Sequence, residues 1–109
     1  MLVAYHINLD SADNVRAIRE PSFDRLRCGD EVKFESNDSK IAIRFGNTSP
    51  FAEPELRPHM IFDIGNGNGK GPFRVVNVGT HHFDCGFRTP ANGEFSCFGG
   101  RGGEILVDP

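Results

Sequence analysis

The sequence predicts an all-β domain, a sandwich of about eight short strands, and three observations lead there. Apolar and polar residues alternate with period two along several short runs, the pattern of half-buried strands. Turn-forming clusters separate those runs, drawing on 13 Gly and 7 Pro. Ten Phe, one Tyr and no Trp supply large apolar area with few polar handles, so the rings serve mainly as core filler. A chain of 109 residues suits a single domain, residues 1–109, that buries one core without cysteine or metal staples.

In chain order, Leu2–Asn8 opens as a strand with Val3, Tyr5 and Ile7 on one face. Residues 10–14 form a turn, their side-chain oxygens competing for local backbone amides. Val15–Ile18 fits a short strand or a helical turn, ended by Pro21, and Phe23–Arg27 is extended. Glu31–Glu35 alternates cleanly, with Val32 and Phe34 inward. Ser36–Ser39 reads as a hairpin turn into a strand with Ile41, Ile43 and Phe45 inward. Gly46–Pro58 is irregular and long for a connection, and Pro54-Glu55-Leu56 within it starts a helical turn. Met60–Ile64 and Phe73–Val78 follow as strands, with the Gly-rich stretch Gly65–Gly71 a loop between them. His81–Phe87, Glu94–Phe98 and Glu104–Val107 complete the set, a turn over Thr89–Gly93 joining the first two. Val75 and Phe83 join Phe34 and Ile43 as expected core positions.

The net charge of −3, with Lys and Arg scattered, lacks the basic face that nucleic acid requires. No apolar run approaches the roughly 20 residues of a membrane span, and the opening residues lack a signal-peptide pattern. A cytoplasmic protein, or an exported one with its signal peptide removed, is expected. Its partner is an unidentified protein or a second copy of itself. Three cysteines make an odd set, so at least one thiol stands outside any intramolecular bridge.

Two segments resemble the cupredoxin family, the Greek-key sandwiches of the plastocyanin and azurin type. Cys28-Gly29-Asp30-Glu31-Val32-Lys33-Phe34 is similar to the family's Gly-Asp-x-Val-x-Phe strand. Gly79-Thr80-His81-His82-Phe83-Asp84-Cys85, then a loop, then Gly103-Glu104-Ile105-Leu106-Val107 resembles its Cys-bearing strand, ligand loop and final strand. The resemblance covers about Phe23–Val107 and implies a cupredoxin-like Greek-key sandwich. It also implies a copper ligand at Cys85, one His near Ile41, and a second His and a Met after Cys85. Isoleucine occupies position 41, no His follows His82, and no Met follows Met60. A type 1 copper centre takes two His, a Cys and a weak axial Met. The expectation is therefore a fold of that family without its copper, and no resident cofactor.

An alternative is a copper or zinc site around His82, Asp84 and Cys85, with His59 or His6 lending a ligand. His82 and Asp84 share one strand face about 7 Å apart. His81 and Cys85 share the other, but their separation of about 13 Å is too long for one ion. Cys85 and Cys97 flank the turn near Ala91, so antiparallel pairing makes them a candidate disulfide, or else two buried thiols. Gly65–Gly71 is not a phosphate loop, because Lys70 is followed by Gly71 and Pro72 rather than Ser or Thr and a helix. The Asp10, Asp13, Asn8 and Asn14 oxygens match no calcium loop spacing, and the paired carboxylates Glu53 and Glu55 face water from a Pro-rich loop. No catalytic constellation emerges. Binding is assigned to the loop Gly46–Pro58, with Phe51 and Glu53 as contact residues, because prolines on either side restrict its backbone. A Phe51 that instead turns inward would plug one end of the sandwich.

Overall fold

Alternation along the strands builds two facing sheets, each presenting its apolar side to the other. The computed structural model describes residues 1–9, 15–20, 25–38, 40–64, 70–88, 95–97 and 103–109, with backbone alone at 9, 15–17, 20, 70 and 95–97. The expected turns at 10–14 and 89–93 lie outside them.

The first sheet contains β1 (Leu2–Leu9), β2 (Val15–Glu20), β4 (Glu31–Glu35) and β7 (Lys70–Arg74), in the spatial order β2-β1-β4-β7. Here β1 runs antiparallel to β2 and parallel to β4, aligning Val3 with Val32 and Tyr5 with Phe34. The second sheet has the order β3-β10-β8-β5-β6. Its members are β3 (Leu26–Arg27), β5 (Ile41–Phe45), β6 (Ile61–Asp63), β8 (Gly79–Arg88) and β10 (Gly103–Asp108). The short β9 (Phe95–Cys97) pairs with the far half of β8, beyond the half that β10 covers.

One core lies between the sheets. Val3, Tyr5, Ile7, Val32 and Phe34 meet Ile41, Ile43, Phe45, Phe83 and Ile105, all at most 3% exposed. The four named core positions Phe34, Ile43, Val75 and Phe83 are buried as expected. Aromatic rings fill its middle. Tyr5 meets the Phe83 ring edge-on with centroids 5.8 Å apart, within the range that favours such pairs.

Several sequence expectations are corrected. Among the described residues the strands at the expected segments around 23–27, 60–64 and 94–98 are only two or three residues long. Residues Ser36–Lys40 do not close a hairpin; β4 and β5 belong to different sheets, so this segment carries the chain across the sandwich. Its crossing is fixed locally, with the Asp38 amide donating to Ser36 Oγ and the Lys40 amide to Asp38 Oδ1. Lys70 and Gly71 join strand β7 rather than a loop, while 65–69 lie outside the described residues. The strand expected over Phe73–Val78 stops early, because the amides of Val76 and Asn77 both donate to the Pro50 carbonyl instead of a ladder. Val15–Glu20 is a strand, and Pro54–Leu56 forms a single 3-10 turn.

Candidate functional site

At the end where β5 finishes and β8 begins, the loop Gly46–Pro58 folds over the mouth of the sandwich. The Gly46 amide donates to the His82 carbonyl, which anchors the start of the loop to β8. Phe51 forms an isolated bridge with Val75, and Asn77 Nδ2 donates to the Ser49 carbonyl at 2.9 Å. The Phe51 amide in turn donates to Ser49 Oγ. These bonds hold the loop against the segment between β7 and β8 and leave a pocket of about 340 Å³ between them. Asn47, Thr48 and Ser49 form one side, Arg57 and Pro58 another, Asn77 and Val78 a third, and Phe51 and His81 the floor.

Strand parity explains the floor. Along β8 the odd positions His81, Phe83 and Cys85 are buried while His82 and Asp84 are exposed. A histidine thus falls on the inward face, at 3% exposure, and needs partners for both ring nitrogens. It has them. Nε2 lies 2.9 Å from the Asn77 carbonyl, and Nδ1 lies 2.8 Å from Thr48 Oγ. A carbonyl only accepts, so Nε2 carries the proton, and in the neutral ring Nδ1 accepts from the Thr48 hydroxyl. Both nitrogens are committed to the protein, so His81 positions the loop and offers no lone pair to a metal.

Phe51 is not the surface anchor that its place between prolines suggested. It is 3% exposed, with its centroid 6.0 Å from that of Phe34, 5.9 Å from Phe45 and 5.8 Å from Phe73. Leaving a ring of that area in water costs more than bending the loop inward. Glu53 is half-buried beside the 3-10 turn. Among the described residues its Oε2 is enclosed and accepts no hydrogen bond, and it does not line the pocket.

The residues of the alternative metal site are divided. Cys85 faces the core at 1% exposure, whereas His82 and Asp84 face solvent on the other side of the strand. His82 Nδ1 lies 3.5 Å from Glu104 Oε2, and Asp84 Oδ2 lies 3.4 Å from Arg44 Nη2, each across to a different neighbouring strand. His6 is taken by Glu35 at 3.1 Å on the other sheet. Among the described residues no group of three or more His, Cys, Asp or Glu side chains is placed to hold a metal ion. The Cys85–Cys97 bridge is likewise not formed. Cys85 carries a thiol, and the register sets Cys97 opposite Gly86, one residue out of step with Cys85. Cys28 is exposed in the turn between β3 and β4.

The pocket beneath the loop was not legible in the sequence. Arg57, Thr48, Asn77 and His81 carried no motif. The one available signal was a histidine at an inward position of an alternating strand, which demands polar company from whatever covers that end. Among the described residues no helix is long and apolar enough to cross a membrane. Neither the protein-family models nor the curated proteins contain a match to this chain.

Proposed function

We propose that this chain is a cupredoxin-like, Greek-key binding or assembly module without a type 1 copper site. Its working surface is the pocket beneath the loop Gly46–Pro58. The pocket floor carries the proposal: His81 is a buried imidazole with both nitrogens spent on Thr48 and Asn77, which favours holding a ligand over reacting with it. The rim supports the same view, since Val76 and Val78 stand 43% and 51% exposed beside it, offering apolar contact to a partner. The crossings between sheets and the parallel β1–β4 pair agree with a Greek-key arrangement rather than an up-and-down meander.

Copper chemistry finds no support at the Cys85 end. Ile41, near which the family resemblance calls for histidine, is fully buried hydrocarbon pairing with Phe87. A titration of reduced protein with Cu²⁺, Zn²⁺ and Ni²⁺, followed by melting temperature and visible absorbance, tests the assignment. The expected result is no stoichiometric stabilisation and no intense visible band. A thiolate-to-copper band abolished by Cys85→Ser, or a 1:1 stabilisation abolished by His82→Ala, would instead establish the metal-binding or redox alternative.

A further inference from the structure

The hydrogen-bond polarity of the pocket restricts what can occupy it. Among the described residues Arg57 is the only formally charged one lining the cavity, and no carboxylate lines it. Its Nε donates to the Pro54 carbonyl at 3.0 Å, and among the described residues no carboxylate pairs with its guanidinium. By contrast Arg25, Arg44 and Arg88 each sit within 3.4 Å of an aspartate. A guanidinium with open Nη groups beside an apolar wall suits a carboxylate, which it can meet with two parallel bonds.

The polar side of the pocket has the opposite sign. Because the Asn77 carbonyl fixes the proton on His81 Nε2, the Thr48 hydroxyl spends its hydrogen on Nδ1 and turns only lone pairs outward. Asn77 spends an amide hydrogen on the Ser49 carbonyl, which makes its nitrogen the donor there and leaves Oδ1 as an acceptor. Thr48 Oγ and Asn77 Oδ1 therefore each offer an acceptor to a donor on the ligand. Pro58, Val78 and the Phe51 edge call for a small apolar group. The volume of about 340 Å³ is at the small end of the range for ligand pockets.

We propose that the pocket binds a small organic carboxylate that carries a neighbouring N–H or O–H donor and a short apolar side group. Arg57 takes the carboxylate, Thr48 Oγ and Asn77 Oδ1 accept from the donor, and Val78 and Pro58 flank the apolar group. This deepens the proposed function and rests on the pocket being its binding surface.

Calorimetric titrations with three probes test it: N-acetyl-L-valine, its neutral amide N-acetyl-L-valinamide, and isovalerate, which keeps the carboxylate and branched chain but lacks the donor. Saturable binding of N-acetylvaline is expected, about tenfold or more tighter than the amide, in line with one lost charge-assisted contact. Arg57→Gln, at an exposed position, should erase that preference while leaving the melting temperature unchanged. Isovalerate should bind several-fold more weakly than N-acetylvaline. Equal binding of acid and amide, or a preference that survives Arg57→Gln, would overturn the anion assignment while leaving a binding pocket in place. Equal binding of isovalerate and N-acetylvaline would overturn the donor assignment. If none of the three saturates, the ligand class is wrong, and the metal titration above separately decides whether the binding-module reading falls with it.

Discussion

Single side chains decide how the end of this sandwich is closed. Phe51 sits among Phe34, Phe45 and Phe73, so truncation leaves a cavity that rigid strands cannot collapse. Phe51→Ala should cost about 3–5 kcal/mol in chemical denaturation. Unchanged stability would place the ring outside the core. Tyr5 makes a second prediction. Burial pushes its phenol from 10.0 up to about 12, with Arg19 opposing part of the effect. Between those values the unfolded chain has released a proton that the folded chain keeps, so stability is complete below pH 10 and falls as pH rises toward 12. The loss amounts to about 2–3 kcal/mol for a shift of this size. The chain has one tyrosine, so phenolate absorbance reports Tyr5 alone. Titration near the ordinary value in protein that is still folded would contradict the burial. Tyr5→Phe should remove this part of the alkaline loss.

At the scale of elements, the pairing of β8 with β10 depends on a missing side chain. Gly103 lies opposite Phe83, and a Cβ there would come within 2.9 Å of the Phe83 ring, too close without movement of a core aromatic. Gly103→Ala should destabilise by about 1–3 kcal/mol, the range for overpacking, whereas Glu104→Ala on the exposed side should be nearly neutral. Equal effects in urea unfolding would mean that the register is wrong. Strands of this kind were legible from sequence because burial follows parity: Val3, Tyr5 and Ile7, or His81, Phe83 and Cys85, need only the period of two. Sheet membership was not. Nothing in Ser36–Lys40 distinguishes a hairpin turn from a crossing between sheets, since both use the same Asn, Asp and Ser chemistry. The early end of β7 depends on the Pro50 carbonyl, 26 residues away from Val76 in sequence, and a local pattern cannot register such a competitor.

Across the whole molecule, a core-filled end is distinct from an open one. Around Cys85 the inward positions carry Ile41 and Ile43, and the outward His82 and Asp84 are engaged by Glu104 and Arg44. Four residues earlier on the same strand, His81 supports a pocket walled by the loop Gly46–Pro58. The length and prolines of the loop set it apart in the sequence, but the contacts within it were not legible there. Phe51 faces in rather than out, and the polar network joins residues scattered over Thr48, Asn77 and His81, which only the fold brings together.

The division between the two ends is tested most directly by amide chemical-shift mapping of the ¹⁵N-labelled protein against a library of small polar fragments that includes N-acetyl-L-valine. Responding amides should cluster at 47–49, 57 and 77–81, and those flanking Ile41 and Cys85 should stay in place. Shifts concentrated around Ile41 and Cys85, or spread with no cluster at the pocket, would contradict it.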